Sequence, residues 1–196
     1  DNWQRAGELC RAVLAEAPDM PRAHFLAARI ALHQADRETA LRALETTVRL
    51  NDRHAAAWAN LAWLYATEGR LRRADSCLKN AAMTERGNAA TRDLIGRVFR
   101  LVGNLEASLD WHRKAVAADA GHVPFLVNYA NACIYTGDID AALEAARDSA
   151  RGMHLTPLSE RTIRALFEAG KVDARAAHDK AIDKELFKDI IGEEEG

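Results

Sequence analysis

The chain has 196 residues, enough for one ordinary domain or a short array of repeats. It holds 40 alanines against 8 valines and 8 isoleucines, too little β-branched material for a sheet-dominated fold, so the composition reads as helical. With 27 basic and 29 acidic side chains the net charge is -2, and neither disorder by self-repulsion nor a general attraction to nucleic acid follows from it.

In chain order, residues 1–20 read as the second helix of a truncated helix pair, Trp3 to Glu16, closed by Pro18. Its first helix is expected upstream, because Asp1 starts the chain without Met or a signal-like stretch, as in a fragment or processed form. Four stretches then align end to end without gaps, 21–54, 55–88, 89–122 and 123–156, at a spacing of 34 residues. The eighth position of the unit is always small (Ala28, Ala62, Gly96, Ala130), and so is the twentieth (Ala6, Ala40, Ala74, Ser108, Ala142). Position fifteen is Gly69, Gly103 and Gly137, with Ala35 the exception, which suits a left-handed residue that ends a helix. Each unit therefore predicts two helices of about three turns, as in Ala56 to Glu68 followed by Leu71 to Thr84. The small residues let paired helices approach closely, and the twenty-seventh position (Thr47, Ala81, Ala115, Ser149) does the same toward the next unit.

These columns resemble the tetratricopeptide repeat. Trp58, Ala59, Asn60, Leu61, Ala62, Trp63, Leu64 and Tyr65, with Gly69, Ala74, Leu78 and Ala81, match the family pattern except at the late proline, where Arg86 stands. Only Pro18 keeps that proline, His24 and Arg92 occupy a position where Trp is usual, and His112 a normally large apolar one. The resemblance covers about residues 1 to 156 and implies an all-α fold, a right-handed α-solenoid of helix-turn-helix repeats.

Residues 157–196 are expected to form a divergent terminal helix pair with an acidic tail. Thr156 and Pro157 read as a helix start and Gly170 as its end. Ile182, Leu186, Phe187 and Ile190 then lie on an apolar stripe at helical spacing, which reads either as a cap on the last repeat or as a docking helix for a partner or a second copy, giving a homodimer.

No catalytic pattern emerges, and no enzymatic activity, cofactor or metal is expected. Cys10, Cys77 and Cys133 are too far apart for a zinc, redox or disulfide framework and read as buried hydrophobes, and the scattered histidines make no ligand pair. No apolar run reaches the roughly 18 residues of a membrane span. An odd cysteine count favours a reducing, cytoplasmic setting.

The resemblance implies that the first helix of each unit lines a concave groove. Carried onto this chain, the groove residues are Arg22, Phe25, Arg29, Asn60, Trp63, Arg97, Arg100, Asn128, Asn131 and Tyr135, joined by His33, Thr67, Asp93 and Ile134. An Asn at position six can hold a peptide backbone through one donor and one acceptor, an alternative to bonding within its own helix. Trp63 offers contact area or a face for a cation, an alternative to packing between helices, and four arginines against Asp93 favour an acidic or carboxylate-bearing segment. The family's chaperone-carboxylate clamp is matched at one position in five, Asn60, and is not expected. The expected function is a protein–protein interaction scaffold whose groove takes a peptide or partner helix. The alternative is the repeat arm of a larger enzyme, similar to those attached to glycosyl- or sulfotransferases. Nucleic-acid binding is disfavoured by the charge balance and by the strict 34-residue spacing.

Overall fold

A computed structural model describes residues 2–138, 140–142 and 144–145. The expected helix pair at 157–196, with Ile182, Leu186, Phe187 and Ile190, lies outside the described residues. Eight helices have both ends among the described residues, residues 140–142 and 144–145 are also helical, and the chain divides into two compact units, the first ending at Gly103 and the second starting at Asn104.

The first unit holds α1 (Asn2–Glu16), α2 (Pro21–His33), α3 (Arg37–Leu50), α4 (Ala55–Thr67), α5 (Leu71–Thr84) and α6 (Ala89–Leu101). Each helix packs on the next in sequence from α1 to α6, and α4 also packs directly on α6, so these helix pairs stack as an α-solenoid. The second unit holds α7 (Leu105–Ala118) packed on α8 (Val123–Thr136).

Close approach within a pair depends on missing side-chain volume. Ala28, Ala40, Ala62 and Ala74 have no exposed surface at all, so α2 meets α3 and α4 meets α5 along alanine faces. Around these contacts Leu44, Leu61, Leu64, Leu78 and Ile95 are fully buried, each stabilising the fold by about 1.5–3 kcal/mol. Ala6, at the corresponding position of α1, is only half-buried, while Leu9 and Val13 on that helix are exposed.

Turn geometry follows from backbone chemistry. Gly69, Gly103 and Gly137 all take positive φ, and Ala35 is held at φ 59° in the same place, a conformation that costs an L side chain about 1–2 kcal/mol. Second helices open with a side-chain cap: Asp36 accepts from the Thr39 N–H at 3.0 Å and Asn104 from the Ala107 N–H at 3.0 Å. Arg70 gives α5 no such cap. The three cysteines are buried free thiols, and burial pushes that of Cys77 up to about 11, which leaves it unreactive at neutral pH. His112 is accommodated in the interior at 2% exposure.

Candidate functional site

First helices begin at Pro21, Ala55, Ala89 and Val123, and in the first unit the start of each is tied to the turn before it by the fourth residue. His24 Nε2 donates to the Pro18 carbonyl at 2.7 Å, and Trp58 Nε1 to the Asp52 carbonyl at 2.7 Å. Arg92 Nε reaches the Glu85 carboxylate at 2.9 Å. The family's preferred Trp is thus one of three N–H donors that do the same work here. His24 and Arg92, irregular as sequence, keep the bond while changing the ring.

The turn before α6 is the most elaborate. The Glu85 side chain is almost wholly buried, and one carboxylate oxygen accepts the backbone N–H groups of Gly87 at 2.6 Å and Asn88 at 2.5 Å while the other takes Arg92. Burial alone would raise its pKa, but Arg92 and the two backbone donors outweigh it and hold the carboxyl below the usual range. Asn88 then caps α6, accepting the Thr91 N–H at 2.8 Å.

The turn before α4 is simpler. His54 occupies the capping position and its Nδ1 accepts the Ala57 N–H at 3.2 Å. That bond requires the neutral tautomer with its proton on Nε2. The ring also packs on Phe25 of α2, with centroids 4.4 Å apart. Burial holds the imidazole below the usual histidine range; a backbone hydrogen bond opposes this, and the charge of Arg22 adds to it.

Between these starts lies an open cavity of about 480 Å³, lined by α2, α4 and α6. Phe25, Leu32 and Leu94 supply apolar walls, Ala56 and Ala90 leave room, and Arg29, Asn60, Asn88 and Thr91 supply polar groups. Phe25, Arg29 and Asn60, expected in the groove, therefore share one cavity. Leu32, Ala56, Ala90 and Leu94 fall on groove-facing positions of the repeat but carry no polar chemistry to single them out. Asn88 and Thr91 fall on none of those positions, and their polar residue types alone are the signal.

The other expected residues are distributed differently. Asn60 Nδ2 donates to the Ala56 carbonyl of its own helix at 2.7 Å, so part of its amide is spent locally. The Trp63 ring receives the guanidinium of Arg37 at 5.7 Å, and Arg37 also donates to Thr67, so an internal cation already lies over that ring. His33 is stacked on Trp3, with centroids 4.3 Å apart. Asp93 is buried at 6% exposure and presents no open carboxylate. Arg22, Arg29, Arg97 and Arg100 are exposed. In the second unit Asn131 and Tyr135 of α8 are exposed and Asn128 is half-buried.

Among the described residues no cluster of three or more His, Cys, Asp and Glu side chains is placed to hold a metal ion. None of the described helices is long and apolar enough to cross a membrane.

Residues 55–86 match the model of the tetratricopeptide-repeat family. No curated protein matches the sequence. Solved structures share the fold at low identity. YrrB, described as a TPR protein with an unusual peptide-binding site, is 16% identical with a TM-score of 0.70 over 91% of this chain and 93% of its own. A thermophilic TPR protein from Thermus thermophilus is 22% identical, with a TM-score of 0.67 over 84% of this chain and 91% of that one. MamA is 17% identical, with a TM-score of 0.65 over 86% and 93%.

Proposed function

We propose that the chain, which matches the tetratricopeptide-repeat model at residues 55–86 and shares the fold of solved TPR proteins, is an interaction scaffold whose cavity between α2, α4 and α6 takes an extended peptide. The observation that carries this reading is the joint lining of one 480 Å³ cavity by Phe25, Leu32 and Leu94 beside Arg29 and Asn60. Apolar walls of this size accept one bulky side chain, the Arg29 guanidinium favours a neighbouring carboxylate, and the Asn60 amide has its Oδ1 left to accept a ligand's backbone N–H. The ligand is thus a peptide with an apolar anchor next to an acidic residue. The solved relative described as having a peptide-binding site supports the class of ligand, not its sequence.

The test is selection from a displayed random-peptide library at neutral pH, followed by mapping of the selected peptides by amide shift changes. Shifts clustered at Phe25, Arg29 and Asn60 are expected, with a loss of affinity of about ten-fold or more in Phe25→Ala and in Arg29→Glu. Peptides that bind both variants unchanged, or capture of single-stranded RNA with steep salt dependence in place of peptides, would overturn the reading.

A further inference from the structure

The cap on α4 and a wall of the cavity meet in one ring. His54 holds the Ala57 N–H through Nδ1 at 3.2 Å, and the face of the same imidazole packs on Phe25, which lines the cavity. Asn88, at the equivalent position before α6, caps with an amide oxygen that does not titrate in this range. We propose that His54 is a proton-operated latch on the peptide cavity: the neutral ring caps α4 and braces Phe25, and the imidazolium releases both. The proposal rests on the reading of the cavity as the binding site.

The chemistry is a single proton transfer from solvent. Neutral His54 carries hydrogen on Nε2 and offers the Nδ1 lone pair to Ala57. Protonation places a hydrogen on Nδ1, so two donors then face each other and the cap is lost. The charge gained has little to stabilise it. Arg22 of α2 is the charged group acting on the ring from the neighbouring helix, and it repels an imidazolium. No residue of α4 carries a charged side chain, its one ionisable group being the phenol of Tyr65, which donates to Glu45. In the turn itself Asp52 and Arg53 are both exposed, and they oppose one another in sign. Phe25 offers only a ring quadrupole. The bond from Trp58 to the Asp52 carbonyl does not involve His54 and keeps α4 in place, so release is confined to the cap and the cavity wall.

The window follows from the direction of the shift. The folded imidazole titrates below the free histidine value of about 6.5. The latch is therefore closed above that pH and opens as pH falls through the folded value.

The test follows His54 ring protons, the Ala57 amide and the Phe25 ring protons by NMR on the full chain without ligand, from about pH 7.5 to 5. Ala57 and Phe25 are expected to move with the His54 midpoint, and both to stay flat in His54→Asn, which reproduces the cap that Asn88 makes. Arg22→Gln, which leaves the cap in place, is expected to raise the midpoint, a second readout independent of how the Asn variant folds. Ala57 and Phe25 resonances that stay flat while His54 titrates, or that move equally in His54→Asn, would overturn the latch. Because no peptide is present, a failure of the binding reading leaves these readouts unaffected, and a failure of the latch leaves the selected peptides bound at Phe25 and Arg29.

Discussion

The turns that open α4 and α6 occupy the same place in successive repeats and flank the same cavity, yet they are held by different chemistry. Before α6, a buried ionised carboxylate gathers two backbone N–H groups and an arginine, and an asparagine caps the helix. Before α4, a neutral imidazole is the cap and an indole N–H closes the turn. One repeat geometry is thus compatible with an ionic lock and a neutral one. They differ in what breaks them: Glu85 must stay ionised and His54 must stay neutral. Both folded values are depressed, so both contributions are lost as pH falls, but in separate windows. That of His54 lies below the free histidine value of about 6.5, and that of Glu85 below the free carboxylate value of about 4.3.

Removing the arginine from the ionic turn gives the largest expected effect. Arg92→Ala leaves the buried Glu85 with two backbone donors and no counter-charge, and is expected to cost about 2–3 kcal/mol at neutral pH in urea unfolding. Loss of its partner also raises the Glu85 pKa, so the acid limb of the stability curve should move to higher pH. An unchanged limb would mean that the ion pair contributes nothing beyond the backbone bonds.

The cap pair comes next. Asn88→Ala and His54→Ala each remove one bond to a helix N-terminus and are expected to cost about 1 kcal/mol at neutral pH. The two should separate on acidification. The cost of His54→Ala starts to shrink below the free histidine value of about 6.5 and is lost as pH falls through the lower folded value, where the wild-type ring itself releases Ala57, whereas that of Asn88→Ala persists. Amide exchange at Ala57 and Thr91 across that range reads each cap directly. Parallel curves would erase the distinction between the two turns.

The alignment at 34 residues made much of this architecture legible, because small residues at fixed spacing have one physical use, the close approach of paired helices. The four first helices start at Pro21, Ala55, Ala89 and Val123, and positive φ falls at Ala35 as well as at the three glycines of the same column. Ala35, the exception by residue type, takes the conformation of its column all the same. In the site, the groove positions that the resemblance implied reached Phe25, Arg29 and Asn60, three of the residues that line the cavity. Register carries no information on what a side chain finds when it arrives. The guanidinium over Trp63 comes from Arg37, on the preceding helix, and Asp93, which the resemblance carried onto the groove, is buried. The network around Glu85 was equally hidden, since its importance comes from burial and from two backbone groups that have no letter in the sequence. His54 looked like one more scattered histidine. Its role depends on the ring being both a cap and a neighbour of Phe25, a conjunction that exists only in three dimensions.

The smallest expected effect concerns the bond that the neutral turn uses in place of the Arg92–Glu85 pair. Trp58→Phe keeps an aromatic ring but deletes the Nε1–H that reaches the Asp52 carbonyl at 2.7 Å. Asp52 lies in an exposed turn, so water can replace the lost donor and the desolvation penalty that follows loss of Arg92 is absent. A loss of about 0.5–1 kcal/mol is expected, equal at about pH 7.5 and 5 because neither indole nor carbonyl titrates. Measured against Arg92→Ala, this variant isolates the share of the difference between the turns that comes from leaving a carboxylate buried. A cost for Trp58→Phe as large as that for Arg92→Ala would mean that the N–H bond to the turn, common to both repeats, outweighs the ionic chemistry that distinguishes them.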